Sequence, residues 1–148
     1  MKLLSLFLPL ILGLIYVVTP KTPVEEAELT TSEIPPFAVV ELFTSQGCSS
    51  CPPADAQLAR LTERAEKTKE NIIALSFHVD YWNRLGWEDP YSNKAYSNRQ
   101  YRYSGYLSGR VYTPQMVVNG QTEFVGSRQK EAEAAVTAAL NQSPTHSI

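Results

Sequence analysis

The sequence is poor in the residues that build disulfide scaffolds and metal centres, with only two cysteines and two histidines in 148 residues. Two cysteines form at most one disulfide within the chain, which excludes a disulfide-rich fold. With the two histidines they could supply one four-ligand zinc site, but the spacing of Cys48, Cys51, His78 and His146 is poor for it. We therefore predict no metal and no other cofactor.

An excess of charge of either sign is also missing, since 13 basic and 15 acidic residues leave a formal net charge of −2. Nucleic-acid-binding domains usually carry a basic excess, so we expect no nucleic acid among the partners. The apolar content of 43% is ordinary for a globular domain and excludes a fibrous or wholly disordered chain. The length suits one domain with an appendage.

The amino terminus holds an uncharged apolar run, residues 3–18, directly after Lys2. This run is shorter than the roughly 20 residues of a typical spanning helix, and no A-x-A-like cleavage site follows it directly. Residues 1–18 are therefore predicted to be a signal peptide or a retained N-terminal anchor that tethers the chain to a membrane. Both alternatives place the folded part outside the cytoplasm, in the periplasm or secreted, where disulfides persist.

Residues 19–36 are rich in Pro, Thr and Glu and have no apolar period, so they predict a flexible linker. The folded domain is expected over 37–142, with 143–148 as a tail. Apolar β-branched runs predict strands at 37–43, 71–80, 111–119 and 121–125, and apolar residues at helical spacing predict helices at 54–69 and after Ser127. The dipeptide Asp89-Pro90 predicts the start of another helix, and Asn119-Gly120 predicts a type I′ hairpin turn.

This order predicts an α/β fold with a central four-stranded mixed sheet flanked by helices and a helical insert before the third strand. The first two strands would be parallel, and the hairpin would add antiparallel strands. Helices on both faces are the simplest way to bury such apolar strands.

Cys48 and Cys51 form a C-x-x-C motif between the first predicted strand and the first helix. Two intervening residues let both sulfurs meet across one tight turn, and such a small ring can be reduced and formed again. A cysteine at a helix N-terminus is favoured as a thiolate, which is the nucleophile in disulfide exchange. Pro52 and Pro53 are tolerated only at a helix start, so the regular helix can begin near Pro52 and not at Cys48. The helix N-terminus would then stabilise a Cys48 thiolate less.

A proline at position 114 is unusual within a predicted strand, because it has no N–H to donate to the hydrogen bonds of a sheet. A cis Thr113–Pro114 bond facing the dithiol would explain it. The backbone before this proline could then pair with an extended substrate.

The segments GCSSCPPADAQL and YTPQMVVNG resemble the thioredoxin-like superfamily. More closely, four segments in order resemble the secreted thioredoxin-like family known as domain of unknown function 1223: ELFTSQGCSSCPPAD, FHVDYWNRLGWEDPYS, RQYRY and VYTPQMVVNG. The resemblance covers about residues 37–140. It implies a thioredoxin fold, a redox-active pair at Cys48 and Cys51 and a cis proline at Pro114, but no substrate.

The resemblance also bears on Glu41, because thioredoxins hold a buried acid on this strand that accepts a proton from the second cysteine. Glu41 is offset by one position, and the alternative is an exposed carboxylate at the strand end. We predict Thr113, Pro114 and Glu41 as catalytic residues beside the two cysteines. Ser49, Ser50, Thr113 and Trp82 are predicted to contact the substrate.

His78 and Asp80 share one face of the second predicted strand near its carboxyl end. They could guide protons near the dithiol, or form a structural pair under the following loop. The predicted function is an exported thiol–disulfide oxidoreductase for protein or small thiols, with Cys48 attacking and Cys51 resolving. Two alternatives are a Cu(I)-handling module with His78 as third ligand and a non-catalytic interaction domain.

Overall fold

Four short strands form one mixed sheet in the computed structural model, which describes residues 35–142. The strands are β1 (Ala38–Thr44), β2 (Ile72–His78), β3 (Gln115–Val118) and β4 (Thr122–Val125). Their order in the sheet is β2-β1-β3-β4, with β1 parallel to β2 and the other pairs antiparallel. The predicted α/β architecture with a mixed four-stranded sheet is confirmed.

In the described part of the chain, three α-helices and one short 3₁₀ helix surround this sheet: α1 (Pro52–Thr68), the 3₁₀ helix (Asp80–Leu85), α2 (Lys94–Ser104) and α3 (Gln129–Leu140). Side chains from α1 and α3 pack on one face against Leu42 and Met116. Tyr103 of α2 packs on the other face against Phe43 and Val117. The 3₁₀ helix and α2 make up the predicted helical insert before Pro114.

Two predicted helix starts are wrong. The dipeptide Asp89-Pro90 precedes α2 without starting it, and Asn93 instead caps the helix by accepting from Ala95 N at 2.8 Å. The carboxylate of Asp89 is engaged by other groups, described below. Ser127 does not cap α3, whose N-cap residue is Arg128 without a capping side chain.

The outer face of β2 differs from the expectation of helices on both sides of the sheet. Ile73 and Leu75 remain 49% and 37% exposed. The short helix α2 reaches only the Phe77 end of this strand, where Tyr96 packs on the Phe77 ring. The 17-residue helix α1 covers the opposite face, on which Ile72 and Ala74 pack.

The hairpin turn between β3 and β4 forms as predicted, because Asn119 and Gly120 both have positive φ angles of 49° and 67°. The Asn119 side chain accepts a hydrogen bond from Val39 N at 2.7 Å and donates to Phe37 O at 3.1 Å. One side chain therefore fixes the turn and the beginning of β1 together.

The predicted signal or anchor (1–18), most of the predicted linker (19–36) and the tail (143–148) lie outside the described residues. Within residues 35–142, none of the helices combines the length and the apolar character needed to cross a bilayer.

Replacing Gly126 by alanine should destabilise the domain, since a Cβ there would lie 2.8 Å from Leu42 Cδ1 and 3.1 Å from Ala54 Cβ. Both neighbours are fully buried, so we expect a loss of about 1–3 kcal/mol in the free energy of unfolding, measured with urea. Gly105→Ala is the control, because Gly105 has a helical φ of −66° and is exposed. Equal losses in both variants would contradict the packing argument.

Candidate active site

The two cysteines form a disulfide in the loop that leads from β1 into α1, with their Cα atoms 5.4 Å apart. Cys48 N donates to Ser45 O and Cys51 N donates to Cys48 O, each at 3.1 Å. Cys51 is the N-cap residue of α1. The pair therefore lies at a strand-to-helix junction, as the sequence predicts.

The start of α1 provides few free backbone N–H groups that could stabilise a thiolate at Cys48. Pro52 and Pro53 have no backbone N–H, and the next two amides, those of Ala54 and Asp55, donate to Cys51 O at 2.8 and 3.1 Å. The first amides of α1 are therefore either missing or used by the Cys51 carbonyl. Any stabilisation of negative charge on the Cys48 sulfur has to come from other donors.

Two hydroxyl groups lie next to the Cys48 sulfur. Thr113 Oγ1 donates to Cys48 Sγ at 3.3 Å, and Ser50 Oγ lies 3.5 Å from the same atom. The Thr113–Pro114 peptide bond is cis, as predicted, and Pro114 is buried. The fold thus brings the segment before β3 against the first cysteine.

Trp82, in the 3₁₀ helix, supports this segment from the other side. Its indole Nε1 donates to Thr113 Oγ1 at 2.8 Å. A Cβ added at Gly47 would lie 3.3 Å from Trp82 Cβ, so the tryptophan also packs against the residue before Cys48. The predicted contact of Trp82 with a substrate stays a prediction.

Access to the disulfide is restricted in this conformation. Cys48 is 1% exposed and Cys51 is 0% exposed, whereas Ser49 and Ser50 between them are exposed. Thr113 and Ser50 make the polar contacts with the Cys48 sulfur, so an incoming group reaches this atom only when a covering side chain moves.

Glu41 is buried, which makes the predicted alternative of an exposed strand-end carboxylate wrong. Arg99 binds both carboxylate oxygens at 2.6 Å, and the Tyr103 hydroxyl donates to one of them at 2.8 Å. Burial, together with the bond to Glu41, raises the pKa of Tyr103 to about 12. The hydrogen bond to Glu41 also holds the pKa of Arg99 above its ordinary value. The predicted role of Glu41 as proton acceptor for Cys51 stays a prediction, although both oxygens are already engaged.

His78 and Asp80 do not pair with each other, so the predicted alternative of a structural pair is wrong, and their role in guiding protons stays a prediction. His78 Nδ1 lies 2.7 Å from Asp89 Oδ2, and Asp80 is hydrogen-bonded to Ser97. Strand β2 ends at His78, so the alternation that would put both side chains on one strand face does not continue to Asp80.

Asp89 is the connecting residue that sequence reasoning missed, because its place before Pro90 was interpreted as a helix cap. Its side chain, 2% exposed, accepts from Gln46 N at 2.8 Å and from Tyr91 N at 3.0 Å, besides its contact with His78. Burial acts to raise the pKa of Asp89, but the hydrogen bonds from Gln46, His78 and Tyr91 outweigh it and hold the pKa below its ordinary value. Asp89 therefore ties the loop before Cys48 to the segment after β2.

Metal binding gains no support from this geometry. Across residues 35–142, no three side chains of His, Cys, Asp or Glu converge in a group that could hold a metal ion. The imidazole that the copper alternative would use is bound to Asp89.

A family model described as a protein of unknown function, DUF1223, matches residues 39–148. The chain belongs to the DUF1223 family. A solved crystal structure of an Agrobacterium tumefaciens protein, a structural genomics target, is 41% identical to this DUF1223 chain with a TM-score of 0.63. The match covers 72% of this chain and 46% of that one, so the chain spans less than half the length of this relative. Among curated proteins, none is similar enough to count as a match.

Replacing Arg99 by methionine should destabilise this DUF1223 domain, because the buried Glu41 carboxylate would lose its cation. We expect a loss of about 2 kcal/mol in the free energy of unfolding, less than for a fully buried pair, because the Arg99 side chain is 40% exposed. The double variant Glu41→Met/Arg99→Met should regain part of this loss, since it leaves no buried charge unpaired. A double variant less stable than Arg99→Met would contradict the argument.

Replacing Asp89 by asparagine should cost about 2 kcal/mol at pH 7, the usual value for hydrogen bonds to a charged group. Because the pKa of Asp89 is lower in the folded state, its charge stabilises the fold above the unfolded-state pKa of about 3.9. This contribution is lost as the pH falls through the folded-state pKa. Urea unfolding should therefore show a smaller difference between Asp89→Asn and the wild type at pH 3 than at pH 7, whereas a purely steric effect would leave the difference unchanged.

Proposed function

We propose that the DUF1223 domain is a thiol–disulfide oxidoreductase with a thioredoxin-like fold, in which Cys48 attacks and Cys51 resolves. One observation carries this proposal. The disulfide joins two cysteines three positions apart, and Thr113 from a distant segment contacts its Cys48 sulfur. A second segment at the sulfur is what an exchange site needs in order to hold a substrate chain there.

The topology supports the thioredoxin-like part of the proposal. A parallel β1-α1-β2 unit is followed by the insert, an antiparallel β3-β4 hairpin and the closing helix α3. The cysteines follow the carboxyl end of β1, where open α/β sheets place their sites.

Exchange is favoured over a static structural disulfide by the length of the closed loop. Cys48 and Cys51 are three positions apart, so the bond joins no distant segments. Because a disulfide stabilises a fold mainly by closing a long loop, this one contributes little stability and is better explained by its chemistry.

The surroundings of the two sulfurs support the assignment of their roles. Both cysteines are buried, but Cys48 lies beside exposed Ser49 and Ser50 and contacts the Thr113 hydroxyl, whereas Cys51 is the N-cap residue of α1. In the reduced protein the Cys48 thiolate attacks a substrate disulfide, forms a mixed disulfide and releases one substrate thiolate. The Cys51 thiolate then attacks Cys48 Sγ, which releases the second substrate thiolate and leaves the protein disulfide.

The proposed substrates are protein or small-molecule thiols and disulfides, contacted by Ser49, Ser50, Thr113 and Trp82. The proposed compartment is extracytoplasmic, supported by the apolar run at residues 3–18 after Lys2. The disulfide itself supplies the redox chemistry, so the proposal needs no further cofactor.

Oxidised glutathione tests the order of attack, with product masses followed over time. Reduced Cys51→Ser should accumulate a glutathione adduct at Cys48, since it lacks the resolving thiol. Cys48→Ser should form its adduct at least tenfold more slowly, because the Thr113 and Ser50 hydroxyls that would stabilise a thiolate lie next to the Cys48 sulfur. The wild type should pass through the adduct to the internal disulfide.

Equal adduct formation by the two single variants would contradict the assignment, as would a wild-type adduct that persists. The reduction potential of the disulfide distinguishes the proposed function from the non-catalytic alternative. A value below about −300 mV is typical of inert structural disulfides and would overturn the proposed function.

A further inference from the structure

The hydrogen bonds around Thr113 run in one direction. An indole N–H can only donate, so in the contact with Trp82 the Thr113 oxygen must be the acceptor. The hydroxyl has a single proton, and Cys48 Sγ lies 3.3 Å away in position to receive it. Trp82 thereby fixes which way the Thr113 hydroxyl points.

Other donors to the Cys48 sulfur are few. Pro52 and Pro53 supply no amide, and the following amides bind the Cys51 carbonyl. Within six positions of Cys48 the sequence has no Lys or Arg. The Ser50 hydroxyl, at 3.5 Å, belongs to an exposed residue, which leaves Thr113 as the better-held donor.

We propose that Trp82 is a positioning residue that aims the Thr113 hydroxyl at Cys48 Sγ and so stabilises the attacking thiolate. This inference rests on the proposed exchange reaction and adds a residue 34 positions from Cys48 to its machinery. A hydrogen bond to a thiolate is charge-assisted and stronger than one to a neutral sulfur. The contact is therefore worth more in the reduced, reactive state than in the disulfide.

Ionisable groups near this contact have partners of their own. Asp55 on α1 accepts from the Thr44 hydroxyl at 2.7 Å, and Asp89 is bound to Gln46 and His78. Tyr81 donates to Gln100 at 3.1 Å and also has a side-chain contact with Thr113, and burial raises its pKa. Thr113→Val removes the contact with Tyr81 as well, whereas Trp82→Phe and Thr113→Ser both keep a hydroxyl at position 113. The comparison of these two variants therefore reports on the Trp82–Thr113–Cys48 contacts.

The test measures the pH profile of alkylation by iodoacetamide in the full chain carrying Cys51→Ser, where Cys48 is the one thiol present. Thr113→Val removes the donor and should move the midpoint of the profile upward by about one pH unit. Trp82→Phe keeps an aromatic ring but frees the Thr113 hydroxyl to rotate, and should move the midpoint upward by about half as much. Thr113→Ser keeps the hydroxyl and should restore the wild-type midpoint.

Trp87→Phe is the matched control, because the indole of Trp87 donates to Gln46 in the cysteine loop and not to Thr113. Its midpoint should equal that of the wild type. An unchanged midpoint in Trp82→Phe would overturn the inference, as would an equal shift in Trp87→Phe. Circular dichroism of each variant checks the fold, and Thr113→Ser against Trp82→Phe decides the question should Thr113→Val fail to fold.

Alkylation needs no disulfide exchange, so this result is independent of the glutathione experiment. Shifted midpoints with no exchange would overturn the proposed function and retain the Trp82 contact. Exchange with unshifted midpoints would do the reverse.

Discussion

The hydrogen bond from Gln46 N to the buried Asp89 carboxylate joins the two parts of the chain on which the site depends. Gln46 lies two residues before Cys48, and Asp89 lies in the segment that follows β2. That segment also carries Trp82, which reaches across to Thr113 and Gly47. The cysteine loop, the segment after β2 and the segment before β3 are therefore placed relative to each other by a few polar contacts that include one buried charge.

The sequence was sufficient wherever structure follows from nearest neighbours. The apolar strands, the Asn119-Gly120 turn and the cysteine pair at a strand-to-helix junction each depend on a few consecutive residues, and each forms as predicted. The contacts that complete the site join residues far apart in sequence. Asp89 meets Gln46 across 43 positions and Glu41 meets Arg99 across 58, so no local pattern could have paired them.

Asp89 illustrates why such residues are misread. An Asp-Pro dipeptide is a good helix start because the aspartate can accept from amides of the first turn. Here its two oxygens accept instead from Gln46, Tyr91 and His78, and Asn93 takes over the capping of α2. The same chemical capacity serves a tertiary contact, since the loop amide of Gln46 needs an acceptor.

The face of the sheet that α2 covers contributes to stability, whereas the cysteines lie at the end of the sheet. Glu41 satisfies its charge with Arg99 and Tyr103 on the α2 side, and thus gives the core a polar link between β1 and the helical insert. At the end of the sheet, the prolines that open α1 withdraw the amides that would otherwise favour a thiolate. A hydroxyl held by Trp82 then becomes the main donor to the Cys48 sulfur. Tuning of the site therefore lies in the segment before β3 and the insert, and only to a small degree in the helix that carries the cysteines.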